Sequence, residues 1–380
     1  MLEDFTSGTA PLSQLSLTDT EESIARKVLS SQRISDSEAL YLYNSSNLKL
    51  LSVLSTHVRE TKSGKDTYFN KNFHIEPTNI CIFTCSFCSY SRHLKDIDDK
   101  DKWELSLEQI RNIAKKYAGT DVTEAHIVGG VHPKRDVNYY ASLIRVVKEA
   151  LPQVHIKAFT AVELEVMFNR AKLSTKEGFL VLKEAGLNSI PGGGAEIFHP
   201  EIRNQICKNK ASAETWLSIH EQAHKLDIPS NCTMLYGHIE KYEHRVDHLR
   251  RLRELQDKTD GFNTFIPLKF RHENNDMSNL SEVSEDEDLK NYAVSRLYLD
   301  NIPHIKAYWP MIGKSTTKKS LKYGVDDVDG TIDDSTKIYS MAGAEDQHPS
   351  MTTEELVALI GSAGYQAVER DSIYNKIRRY

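Results

Sequence analysis

Three of the chain's five cysteines, Cys81, Cys85 and Cys88, fall in one short stretch at the spacing C-x3-C-x2-C. The stretch runs His74-Ile75-Glu76-Pro77-Thr78-Asn79-Ile80-Cys81-Ile82-Phe83-Thr84-Cys85-Ser86-Phe87-Cys88-Ser89-Tyr90-Ser91-Arg92. A β-prone run over residues 73–75 leads in, and Pro77-Thr78-Asn79 turns the chain into a loop. Three thiolates from one loop hold three irons of a [4Fe–4S] cluster and leave the fourth without a protein ligand. An open iron is what a cluster needs to bind a substrate or cofactor rather than only carry electrons. A zinc site wants a fourth ligand, which only His93 offers nearby, and Cys207 and Cys232 form no second pair. Five cysteines in 380 residues are neither dense nor even, which argues against a disulfide framework. The spacing favours iron–sulfur.

Charge narrows the partners. A net charge of −6 gives no global attraction to nucleic acid or to an anionic membrane, and Lys and Arg are dispersed. No apolar run is long enough to span a bilayer, and the start Met1-Leu2-Glu3-Asp4-Phe5 lacks the basic end and apolar middle of a signal peptide. A cytoplasmic protein acting on small molecules is expected, with no membrane anchor.

The hydrophobic pattern predicts an α/β protein in three parts. Residues 1–70 read as frayed at first and then as helices, opened by Thr18-Asp19-Thr20-Glu21-Glu22, by Ser35-Asp36-Ser37-Glu38 and near Leu48, forming a layer that caps the end of something larger. Over residues 71–340 short β-like runs (73–76, 124–128, 155–159, 189–190, 231–235, 262–270 and 304–309) alternate with amphipathic helices, which argues for a full or partial (β/α) barrel. Residues 341–380 read as a helical tail packed on the barrel. Barrel chemistry belongs at the C-terminal ends of the strands. There the chain places the cysteine loop, Gly129-Gly130-Val131-His132-Pro133, Thr160-Ala161-Val162-Glu163, Pro191-Gly192-Gly193-Gly194-Ala195-Glu196, Tyr236-Gly237-His238-Ile239-Glu240 and Pro267-Leu268-Lys269-Phe270-Arg271.

His220-Glu221-Gln222-Ala223-His224 matches the H-E-x-x-H of zinc proteases, but no third ligand follows and the helix faces away from those loops. His244 and His248, also four apart, read as solvated helix residues.

The cysteine loop resembles that of the radical S-adenosylmethionine (SAM) enzymes. Together with the Gly129–Pro133, Phe159–Glu163, Pro191–Glu196 and Gly237–Glu240 segments, it resembles their menaquinone/deazaflavin branch. Ser86-Phe87-Cys88-Ser89-Tyr90-Ser91-Arg92, Lys306-Ala307-Tyr308-Trp309-Pro310 and Asp326-Asp327-Val328-Asp329-Gly330-Thr331-Ile332 are similar to the aminofutalosine synthase family, and the likeness runs from about residue 25 onward.

The resemblance implies that Cys81, Cys85 and Cys88 hold the cluster and that SAM binds its open iron. Phe87 would lie beside the adenine and Tyr90 near the cofactor. Gly129 and Gly130 would let backbone approach the ends of SAM, where the bland alternative is a tight turn. Gly192, Gly193 and Gly194 would similarly approach a ligand, and Glu163 is either a ribose partner or a helix N-terminal acid. Reductive cleavage of SAM would give a 5′-deoxyadenosyl radical that adds to 3-[(1-carboxyvinyl)oxy]benzoate, yielding 6-amino-6-deoxyfutalosine with loss of carbon dioxide. The electron would come from an external one-electron reductant such as flavodoxin or ferredoxin. A substrate with two carboxylates calls for fixed cationic or donor groups, with Arg271 the leading candidate and His132 and His238 as donors or proton carriers. The alternatives are that Arg271 pairs with a structural acid and that the histidines only tie loops together. Two rival readings remain. One is a cyclic dehypoxanthinyl futalosine synthase-like enzyme that abstracts hydrogen; the other is a non-catalytic iron–sulfur or zinc-binding module.

Overall fold

The computed structural model describes residues 15–331, 337–343 and 349–380. Three helices come first: α1 (Asp19–Leu29), α2 (Asp36–Asn44) and α3 (Leu48–Ser63). Capping boxes at Thr18/Glu21 and Ser35/Glu38 fix where α1 and α2 start, because each pair satisfies two otherwise orphaned backbone donors. The layer does not cap an end. It lies along the flank of two barrel helices, with Tyr43 Oη donating to Asn291 Oδ1 (2.8 Å) and Ser52 Oγ to the Lys322 carbonyl (2.8 Å).

The alternation then follows as expected: β1 (Asp66–Phe69), β2 (Asn72–Ile75), α4 (Leu107–Lys115), β3 (Glu124–Ile127), α5 (Val137–Ala150), β4 (His155–Ala158), α6 (Ala161–Ala171), α7 (Thr175–Ala185), α8 (Pro200–Ile206), α9 (Ala213–His224), β5 (Ser230–Tyr236), α10 (Tyr242–Thr259), β6 (Phe262–Lys269), α11 (Glu285–Tyr298), β7 (His304–Ala307), α12 (Trp309–Ser320) and β8 (Asp327–Val328). β2, β3 and β4 pair in parallel, with Phe73, Ala125 and Ile156 level. The 189–190 stretch is reduced to single bridges, Lys157 to Ser189 and Ile190 to Ser230, that join β4 to β5. From there β5, β6, β7, β8 and β1 pair in parallel. Only Asn70 and Lys71 separate β1 from β2, so the ring returns on itself. This is a partial TIM-type (β/α) barrel.

Two expectations need correction. β1 is a strand inside the stretch read as all-helical; its four residues follow Lys62-Ser63-Gly64-Lys65, which hides a strand start. The tail is not helical throughout. After α13 (Lys337–Ser340) and α14 (Thr353–Ser362), β9 (Gln366–Arg370) pairs in parallel with β1, and β10 (Lys376–Arg379) runs antiparallel to β9. Both are rich in charged residues and show little apolar alternation. Ile332 of the Asp326–Ile332 segment and residues 1–14 lie outside the described residues.

A TIM barrel usually fills its interior with apolar layers; here the interior carries charge. Lys157 on β4 donates to Glu124 on β3 (2.7 Å), and Lys306 on β7 donates to Asp329 after β8 (2.9 Å). Lys306 also acts on Glu124 across the ring. At the N-terminal end of the strands, the tail supplies a plug. Tyr374 stacks on His304 (3.8 Å) and donates to Asp327 Oδ2 (2.6 Å), while Arg370 Nη2 donates to the same oxygen (2.6 Å).

Candidate active site

At the other end of the strands, the cysteine loop is laced to the loop after β3. Gly130 N–H donates to the Thr78 carbonyl (2.7 Å) and Ile82 N–H to the Val131 carbonyl (3.0 Å). Cys81 Sγ accepts from the N–H groups of Phe83 and Val131, each at 3.4 Å. A Cβ on Gly129 would lie 2.7 Å from the Thr78 oxygen, and one on Gly130 would lie 2.7 Å from Ile80 C and 2.8 Å from Asn79 C. The missing side chains therefore serve the approach of two protein loops, where the sequence suggested an approach to a ligand. Gly192, Gly193 and Gly194 are used alike: their Cβ positions meet the Cys232 backbone, Thr160 Cγ2 and Val162 Cγ2.

Glu163 sits in the first turn of α6, in a capping box with Thr160. Its Oε2 accepts from Thr160 N and Oγ1, both at 2.8 Å, and its Oε1 accepts from Gly129 N at 3.2 Å. Of the two roles considered, this geometry is that of the helix N-terminal acid, one that also ties the α6 start to the glycine pair. Burial pushes its pKa up to about 7 against the pull of those hydrogen bonds. A folded pKa raised above the unfolded value means that the group's contribution to stability is complete below about 4.5 and is lost as the pH rises through about 7. We expect stability to fall across that window by at most about 1.4 kcal/mol per pH unit from this group. Glu163→Gln should flatten that slope in urea melts; an unchanged slope would refute the assignment.

The three candidate substrate donors are engaged with the protein. His238 accepts from Ile239 N–H at Nδ1 (2.7 Å) and donates from Nε2 to the Leu235 carbonyl (3.1 Å), which leaves the neutral ring no free nitrogen. His132 Nδ1 accepts from Lys134 N–H (3.1 Å), and its Nε2 stands 3.4 Å from Glu104 Oε1. Arg271 pairs through Nε with Glu282 (3.1 Å) and donates to the carbonyls of Met311 (3.3 Å) and Gly343 (2.5 Å). Arg271 ties loops together in this geometry, His238 is held within its own turn, and the buried His132 Nε2 has no hydrogen-bond partner among the described residues. Tyr90 is buried, donates to the Thr78 carbonyl (3.2 Å) and meets Trp103 edge-on. His248, expected in solvent, is fully buried between the Phe198 N–H (3.2 Å) and the Thr233 carbonyl (2.9 Å). His220 and His224 both bond Ser230 Oγ at the start of β5, away from the cysteine loop.

Cys81, Cys85 and Cys88 are free thiols, each half-buried. Phe83, Val131, Val162 and Ala211 form an apolar sleeve against which Cys81 and Cys85 pack. Burial raises the Cys81 pKa and pushes Cys85 up to about 12, with Lys210 opposing the latter. Among the described residues no three His, Cys, Asp or Glu side chains draw together around a single ion. A cluster brings its own irons and sulfides and spans thiolates that stand further apart than one ion allows. Three thiols, N–H donors aimed at a sulfur and a dry wall fit it.

Residues 75–252 match the family model of the radical SAM superfamily, and residues 259–379 match the CofH/MqnC C-terminal region. The chain is 43% identical over 361 residues to aminodeoxyfutalosine synthase of Thermus thermophilus, covering 93% of this chain and 95% of that protein. This chain belongs to the radical SAM superfamily. It is also 40% identical to aminodeoxyfutalosine synthase of Streptomyces coelicolor (94% of each chain). Identity to 5-amino-6-(D-ribitylamino)uracil–L-tyrosine 4-hydroxyphenyl transferase of Methanothermobacter thermautotrophicus is 36%, over 90% of this chain and 94% of that protein. Among solved structures, the radical SAM fold here is similar to methylornithine synthase, with a TM-score of 0.72 at 18% identity over 90% of this chain and 96% of that one. As a radical SAM enzyme the protein works with a [4Fe–4S] cluster and SAM. Among the described residues no helix is long and apolar enough to cross a membrane.

Proposed function

We propose that the protein is an aminodeoxyfutalosine synthase: it joins the 5′-deoxyadenosyl group of SAM to 3-[(1-carboxyvinyl)oxy]benzoate, with rearrangement and loss of carbon dioxide, to give 6-amino-6-deoxyfutalosine for menaquinone biosynthesis. The observation that carries the reading is 43% identity to a synthase of that name along nearly the whole of both chains. When bound and reduced by an external one-electron donor, the cluster supplies the electron that cleaves SAM. Cys81, Cys85 and Cys88 are the residues that hold it. Val131 and Phe83 N–H groups steady Cys81, and the sleeve around Phe83 keeps water from the reacting centre. The substrate carboxylates would be met in a cavity of about 340 Å3 beside the cysteine loop, where Lys100, Lys102 and Lys337 stand around Trp103 and Asp101 also lines the wall.

An anaerobic assay of the reconstituted, reduced protein with SAM and the enolpyruvyl benzoate, read by mass, tests the reading. The expected product contains adenine, ribose and benzoate and has lost carbon dioxide. Free 5′-deoxyadenosine with untouched benzoate would sink the substrate while leaving SAM cleavage in place. Turnover instead with tyrosine and 5-amino-6-(D-ribitylamino)uracil would move the protein to the reaction of its 36%-identical relatives.

A further inference from the structure

Lys210 belongs to none of the motifs above, yet the fold fixes it beside the cysteine loop. It follows α8, whose loop is clamped by the buried Arg203: Nη1 donates to the Ala195 carbonyl (2.5 Å) and Nη2 to that of Ala211. Ser86 N–H, between two of the cysteines, donates to the Ile206 carbonyl (2.9 Å), which ties this loop to the cysteine loop. Lys210 Nζ donates to Glu196 Oε1 (2.5 Å) and lies 5.3 Å from the centre of the Phe87 ring, the ring that sits between Cys85 and Cys88 in sequence. The two side chains are only 13% and 9% exposed.

A buried ion pair is a poor source of stability, because desolvation offsets most of its attraction. Its field in a low-dielectric wall is another matter. The reduction potential of an iron–sulfur cluster depends on the charge around it. Of the two partners, it is Lys210 that reaches the cysteine loop, over the Phe87 ring, and Glu196 meets Lys210 in turn. The pair is therefore a dipole with its positive end toward the loop.

We propose that Lys210 is a positioning charge that sets the reduction potential of the cluster held by Cys81, Cys85 and Cys88, with Glu196 as its counterweight. The proposal rests on the cluster reading above. Reduction adds one negative charge to the cluster. A fixed ammonium stabilises that charge, and a fixed carboxylate opposes it.

The test is a redox titration of the reconstituted protein, followed by the EPR signal of the reduced cluster without substrate. Lys210→Met should move the midpoint potential to more negative values, and Glu196→Gln should move it to more positive ones. Lys210→Arg should restore most of the wild-type value. A purely structural tie predicts shifts of the same sign, or none, in the two neutralising variants, and either result overturns the proposal. If Lys210→Met takes up no iron, Glu196→Gln alone decides, since an unchanged or more negative potential there is fatal. Wild-type protein that shows no iron–sulfur EPR signal would instead overturn the cluster reading, and the proposal with it.

Discussion

Cys81→Ala is expected to leave a folded barrel that assembles no [4Fe–4S] cluster and forms no detectable product. The fold should survive because the Cys81 sulfur gives the apoprotein only two N–H contacts of 3.4 Å, worth about 1 kcal/mol each at most. Gly130→Ala should approach the same endpoint by a different route. The new Cβ would meet Ile80 and Asn79 backbone atoms, which cannot rotate away as a side chain would. The loop must shift just ahead of Cys81, at a cost of about 1–3 kcal/mol and with the first cysteine displaced. Circular dichroism should show native helix content in both variants. Iron content and the EPR signal should be absent in Cys81→Ala and strongly reduced in Gly130→Ala. A Gly130→Ala protein with full iron content and full turnover would show that the close seating of the two loops is dispensable.

The second large effect is on stability and lies at the opposite mouth. Asp327 is fully buried and accepts from Arg370 Nη2 (2.6 Å), Arg370 Nε (3.3 Å) and Tyr374 Oη (2.6 Å). Asp327→Ala would leave the buried Arg370 guanidinium without its counter-charge. A loss of about 3–5 kcal/mol in urea unfolding is expected, as for other broken buried pairs. The double variant Asp327→Leu with Arg370→Met removes both charges and should be less destabilised than Asp327→Ala alone. Equal losses in both would mean that packing, rather than the stranded charge, carries the effect.

How much of this was legible in the sequence depends on where each signal resides. The cysteine spacing and the glycine pair are local, and the helix starts announce themselves through Thr18/Glu21 and Ser35/Glu38. The glycines' purpose was less legible, because only the fold brings residues 78–80 against them. Strands whose inward positions are Glu124, Lys157 and Lys306 look polar on the very face that would normally read as core. β9 and β10, with Glu369, Arg370, Lys376, Arg378 and Arg379, look less like strands still. His248 read as solvated because its helix is highly charged, yet it lies on the buried face beside Phe198. Lys210 had no motif to mark it, since its partners Glu196 and Phe87 come from separate loops.

The pairing of β1 with β9, with Asp66 level with Gln366, also bears on how the chain reaches its native state. Parallel contacts between such distant segments form slowly, because a long loop must close before any of them is rewarded. During synthesis β1 emerges well before β9 and waits for it. Until then one side of β1 is an open edge, exposed to pairing with other chains. The order of assembly, and not only the final geometry, is thus written into the position of one five-residue strand.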